Sequence, residues 1–82
     1  MSKHEKLLAQ IVEGRSDANI RFDDLCHLLR RLGFAERTRG SHHVFRMQGV
    51  EEKIVLQREN GKAKSYQVRQ VRAVIVKYKF GG

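Results

Sequence analysis

The spacing of apolar positions changes period once along this chain of 82 residues, and that change divides it into helical and extended parts. In residues 3–13, Leu7, Leu8, Ile11 and Val12 recur on one helical face and Gly14 supplies a stop, which predicts a short helix. Residues 15–19 are polar and read as a connection. Ile20-Arg21-Phe22 then leads to Asp23, expected as an N-cap with an apolar residue before it in staple position. Leu25, Leu28, Leu29 and Leu32 follow at i, i+3, i+4 and i+7, the single stripe of an amphipathic helix. Gly33 stands where a left-handed residue closes such a helix.

From Phe34 the period is two. Residues 34–39, 42–48 and 52–57 read as short strands, joined by the two-residue turn Gly40-Ser41 and by a reversal at Gln48-Gly49-Val50. Residues 58–64 read as a basic loop that turns at Asn60-Gly61. Ser65 is expected to cap a last helix reaching about Tyr78, with Val68, Val71, Ile75 and Tyr78 on its apolar face. Gly81-Gly82 reads as a frayed end.

The expected fold class is α+β: a three-stranded antiparallel sheet with helices on one face, preceded by an extra N-terminal helix. Residues 20–82 form the minimal domain and residues 1–19 a helical extension packed on it. Leu25, Leu28, Leu29, Leu32, Phe45, Met47, Ile54, Leu56, Val68, Val71 and Ile75 are the expected core.

Length and composition narrow the class further. A chain this short makes one small domain that buries only about 60% of its unfolded surface, so packing alone must hold it. The longest uninterrupted apolar run is four residues, Ala73 to Val76, too short for a transmembrane helix or a signal-peptide core, so no membrane partner is expected. A single cysteine, Cys26, cannot form an intramolecular disulfide and suits a reducing compartment, so a cytoplasmic location is expected.

Charge changes the picture most. Seventeen Lys and Arg against nine Asp and Glu give a net charge of +8. Residues 1–24 carry a net −1, whereas residues 25–82 carry +9. A concentrated positive field gathers polyanions, and nucleic acid is the usual one.

Alternation sorts the side chains of the middle strand. Phe45 and Met47 face the helices, and His43 shares their parity as a structural histidine. His42, Val44 and Arg46 then face the open side, where Lys53, Val55 and Gln57 of the next strand join them. Arg37 and Arg39 lie close by at the hairpin. A histidine ordinarily titrates near pH 6.5, so it can take or give a proton near neutrality. Metal-free RNA cleavage needs a base for the ribose 2′-hydroxyl and cations for the charge on phosphorus. His42 beside Arg37, Arg39 and Arg46 fits that requirement. Lys62 and Lys64 precede the last helix, whose free N–H groups favour an anion, and read as a phosphate clamp. Arg69, Arg72 and Lys77 are positioned to extend the basic track. Cys26, His27, His42 and His43 do not form a tetrahedral metal set, because neighbours diverge by about 100° on a helix and 180° on a strand. No metal or other cofactor is expected.

Leu28-Leu29-Arg30-Arg31-Leu32-Gly33-Phe34, followed by Gly40-Ser41-His42-His43-Val44-Phe45-Arg46, resembles the HicA toxins of bacterial type II toxin–antitoxin systems. The likeness spans approximately residues 20–80. It implies a double-stranded-RNA-binding-like α-β-β-β-α fold and a metal-independent endoribonuclease that cleaves mRNA with a histidine. The family's catalytic histidine, the first after Gly-Ser, falls on His42. A HicB-type antitoxin covering that site is the implied partner. The chain departs from the family in having no proline after the third strand, where it reads Gln57-Arg58-Glu59-Asn60-Gly61-Lys62-Ala63-Lys64-Ser65, and in its first 19 residues. The same charge pattern also suits a non-catalytic double-stranded-RNA-binding module, or a protein whose basic surface meets an acidic partner.

Overall fold

A computed structural model describes residues 2–80, so the end at Gly81-Gly82 lies outside the described residues. The order is α1 (Lys3–Glu13), a 3₁₀ turn (Asp17–Asn19), α2 (Phe22–Leu32), β1 (Ala35–Arg39), β2 (His42–Arg46), β3 (Ile54–Glu59), β4 (Lys62–Ala63) and α3 (Ser65–Lys77). The strands form one antiparallel sheet in the order β1-β2-β3-β4. α2 and α3 cover one face of it, and α1 packs across those two helices. The protein is α+β.

The fourth strand corrects the three-stranded expectation. Asn60 and Gly61 both take positive φ (53° and 77°), the backbone that a tight two-residue hairpin demands, so β3 runs on to Glu59 and returns as β4. A two-residue strand carries no alternation to read. β4 is also held from its other side. The Ala63 N–H donates to the Ile20 carbonyl at 2.9 Å and the Phe22 N–H to the Gly61 carbonyl at 3.0 Å.

That pairing explains why two caps differ from expectation. Arg21, not Asp23, occupies the N-cap of α2, because its backbone is extended and bridged to Lys62. Asp23 and Asp24 fall in the first turn instead, where carboxylates favour the helix N-terminus. Lys64, not Ser65, caps α3, with no side-chain cap, since β4 leads straight into the helix. Gly33 behaves as expected: at φ 109° it closes α2 and donates to the Arg30 carbonyl at 3.0 Å.

The core centres on Phe22, Leu25, Leu29, Phe45, Ile54, Leu56, Val68, Val71, Val74 and Ile75, each essentially inaccessible. Burying each such side chain is worth roughly 1.5–3 kcal/mol. Leu32 and Met47, expected inside, are only partly buried at the margin. The core reaches further than the stripes alone indicate. Ile11 of α1 is 0% exposed and Ile20, Phe34, Val50 and Ala63 are also buried, so the N-terminal helix shares this core. Val12, next to Ile11, is 40% exposed and faces away. No helix among the described residues is long and apolar enough to cross a membrane.

Candidate nucleic-acid interface

Antiparallel register places residues in rows across the sheet, and directly opposed partners share a face. Thr38, His43 and Leu56 make one row, and Glu36, Phe45 and Ile54 another; both lie on the helix-covered side. The intervening rows form the open face. Arg39, His42 and Gln57 lie at the hairpin end, then Arg37, Val44 and Val55, then Ala35 and Arg46. His42 is exposed there, with Arg39 its direct neighbour on β1 and Gln57 its direct neighbour on β3. Gly40, at φ 57°, opens the two-residue turn that lets β1 and β2 meet this closely.

The expected cations separate by row. Arg39 flanks His42, Arg37 is one row away, and Arg46 is four residues along the strand, about 14 Å at ~3.4 Å per residue. Lys53 joins them, and these four side chains line a shallow groove of about 570 Å³ with Ala35, Glu36 and Val44; His42 is paired with Arg39 at its edge. Among the described residues none of Arg37, Arg39, Arg46 or Lys53 is in an ion pair. Several cations elsewhere are paired. Arg30 pairs with Glu36, Arg58 with Asp23, Lys3 with Asp24 and Lys77 with Glu52. Arg72 bonds the Ile11 carbonyl at 2.6 Å and pairs with Asp17. So Arg72 and Lys77 fasten helices and loops rather than extending a track, which corrects the sequence-based placement. The open face thus carries four cations without an ion-pair partner among the described residues.

Lys62 and Lys64 line one hollow of about 300 Å³ together with Glu59, beside Ser65, the first residue of α3. Their ammonium groups diverge. Lys62 Nζ donates to Asn19 Oδ1 at 3.2 Å, while Lys64 Nζ turns to Gln57 Oε1 at 3.4 Å. Gln57 Nε2 reaches Ser41 Oγ at 3.5 Å, and the Gln57 backbone N–H donates to Gln67 Oε1 at 3.1 Å. Gln67 is 4% exposed and completes the β3 edge where β4 has ended. Sequence reading placed Gln57 outward without a role; its partnership with His42 depends on the length of the 47–53 turn, which alternation does not give.

Behind the same strand the chemistry is closed. His43 Nδ1 lies 2.7 Å from Glu36 Oε2, and its ring meets Phe22 edge-on at 4.9 Å. Arg30 Nε donates to Glu36 Oε1 at 2.7 Å. Burial would raise the Glu36 carboxyl, but the hydrogen bonds from His43 and Arg30, with the charge of Arg30, hold it below its usual range. Burial pushes the Cys26 thiol up to about 11, with the Glu36 charge adding to it. Cys26, Glu36 and His43 donor atoms all lie within 4.8 Å, a grouping the sequence did not reveal because Glu36 sits on a different strand. Both Glu36 oxygens are engaged, so this is a satisfied network joining α2, β1 and β2. Tyr78 likewise packs as expected, its hydroxyl donating to Glu52 Oε1 at 2.7 Å, whereas Tyr66 is 55% exposed.

No family model, curated protein or solved structure matches the chain. Its functional reading therefore rests on its own residues.

Proposed function

We propose that the chain is a metal-independent endoribonuclease, the toxin of a type II toxin–antitoxin pair, with His42 as the base that takes the ribose 2′-hydroxyl proton. One observation carries this reading: an exposed imidazole at a hairpin end, flanked by Arg39, on a sheet face whose cations have no carboxylate partner among the described residues. Arg39 and Arg37 stand where they would attract phosphate and offset the charge that develops on phosphorus. The likeness of Gly40-Ser41-His42-His43-Val44-Phe45-Arg46 to the HicA toxins supports the same assignment. Cytoplasmic mRNA is the substrate, and a HicB-type antitoxin is the partner. Its acidic side chains lie over the same open face and compete with RNA, since both offer negative charge to Arg37, Arg39 and Arg46.

The test is expression of wild type and His42→Ala alongside RNA-binding measurements on the purified proteins. Wild type is expected to arrest growth and cut mRNA, while His42→Ala keeps RNA affinity and loses both effects. A variant that arrests growth as strongly as wild type overturns the assignment. A wild type that binds RNA and cuts none would make the chain a binding module.

A further inference from the structure

One imidazole cannot remove the 2′-hydroxyl proton and protonate the departing 5′-oxygen in the same step. In phosphoryl transfer the entering and leaving oxygens lie roughly in line, so the proton donor must stand across the phosphate from the base. The row through His42 offers two sides. On one is Arg39, and guanidinium groups hold their protons throughout the range in which proteins work. On the other is Gln57, whose side-chain oxygen accepts from Lys64 Nζ at 3.4 Å.

Resting on the ribonuclease reading of His42, we propose that Lys64 is the general acid of the cleavage and that Gln57 is the residue that positions it. Several observations converge on this. Gln57 is fixed at three points: its amide nitrogen at Ser41 Oγ, its carbonyl oxygen at Lys64, and its backbone N–H at buried Gln67. Lys64 is half-buried at the N-cap of α3, unlike the exposed Arg37, Arg39, Arg46 and Lys53. Its ammonium rests on a neutral amide, with no carboxylate partner among the described residues, so no ion pair competes with a substrate for it. The N-terminus of α3, a helix of 13 residues, adds a favourable field for the phosphate between the two groups.

The step balances. The His42 imidazole takes the 2′-hydroxyl proton as the 2′-oxygen bonds to phosphorus. The bond from phosphorus to the 5′-oxygen breaks, and the Lys64 ammonium gives that oxygen its proton. The products are a 2′,3′-cyclic phosphate and a 5′-hydroxyl. His42 is left as imidazolium and Lys64 as amine, and exchange with water restores both.

The experiment compares cleavage of one RNA oligonucleotide with the same oligonucleotide carrying sulfur in place of the bridging 5′-oxygen at the cut, a leaving group that needs no proton. Lys64→Gln is expected to slow cleavage of the oxygen substrate by roughly 100-fold or more and to cut the sulfur substrate at nearly the wild-type rate. Lys64→Arg, which keeps charge without a transferable proton, is expected to behave as Lys64→Gln does. Gln57→Ala is expected to lose part of the oxygen rate and recover it on sulfur, which a merely structural role would not produce. Equal losses on both substrates, no loss, or full activity of Lys64→Arg would overturn the role of Lys64. His42→Ala stays slow on both substrates; if it cuts as wild type does, the ribonuclease reading itself falls.

Discussion

His42 and His43 are neighbours in sequence with opposite fates. His43 is locked to Glu36 and set edge-on against Phe22, whereas His42 has open solvent before it and Arg39 and Gln57 beside it. The Glu36 network carries a pH signature. A carboxyl whose folded value is depressed contributes stability fully above its ordinary unfolded value, about 4.3, and loses that contribution as pH falls through the lower folded value. Glu36→Gln is therefore expected to cost about 1–3 kcal/mol in urea denaturation at pH 7, and progressively less as pH falls below the ordinary unfolded value and through the depressed folded one. An equal cost across that range would show that the charged pairing is not what Glu36 contributes. The opposite faces of the two histidines are legible in the sequence, because Phe45 and Met47 fix the parity of β2. The partners of Glu36 and Gln57 are not, since each depends on register between separated strands.

At the scale of elements, the three helices and three strands follow from periodicity, and the two-residue β4 and the docking of α1 do not. Four apolar residues in α1 are visible in the sequence, but which one enters the core is decided by the angle at which α1 lies on α2 and α3. The structure selects Ile11 and leaves Val12 outside. Arg72 fixes that choice by bonding the Ile11 carbonyl and pairing with Asp17, tying α3 to the end of α1 and the turn after it. Ile11→Ala is expected to cost about 2–5 kcal/mol in equilibrium unfolding, and Val12→Ala less than about 1. Equal small effects would mean that α1 is an appendage rather than part of the core. The misplaced caps have a related cause. Asp23 and Ser65 carry good capping side chains, but strand pairing through Arg21, Lys62 and Ala63 sets the caps two residues earlier at Arg21 and one earlier at Lys64.

For the whole molecule, the charge of +8 matters less than where it is left unpaired. Acidic side chains pair with Arg30, Arg58, Arg72 and Lys77, whereas Arg37, Arg39, Arg46 and Lys53 on the open sheet face have no ion-pair partner among the described residues. Neutralising about five phosphates would make log K fall with log salt at a slope of roughly −4. Replacing Arg37 and Arg39 together with Ala is expected to flatten it by about 1–2, read by fluorescence anisotropy across a salt series. A slope near zero in the wild type would remove the electrostatic basis of the interface. The most direct measurement is single-turnover RNA cleavage by purified wild type and His42→Ala in the presence of EDTA, with the product ends identified. The expected result is wild-type cleavage to 2′,3′-cyclic phosphate and 5′-hydroxyl ends, slowed roughly 100-fold or more by His42→Ala. Cleavage at the same rate by the variant, or 5′-phosphate ends from the wild type, would contradict it.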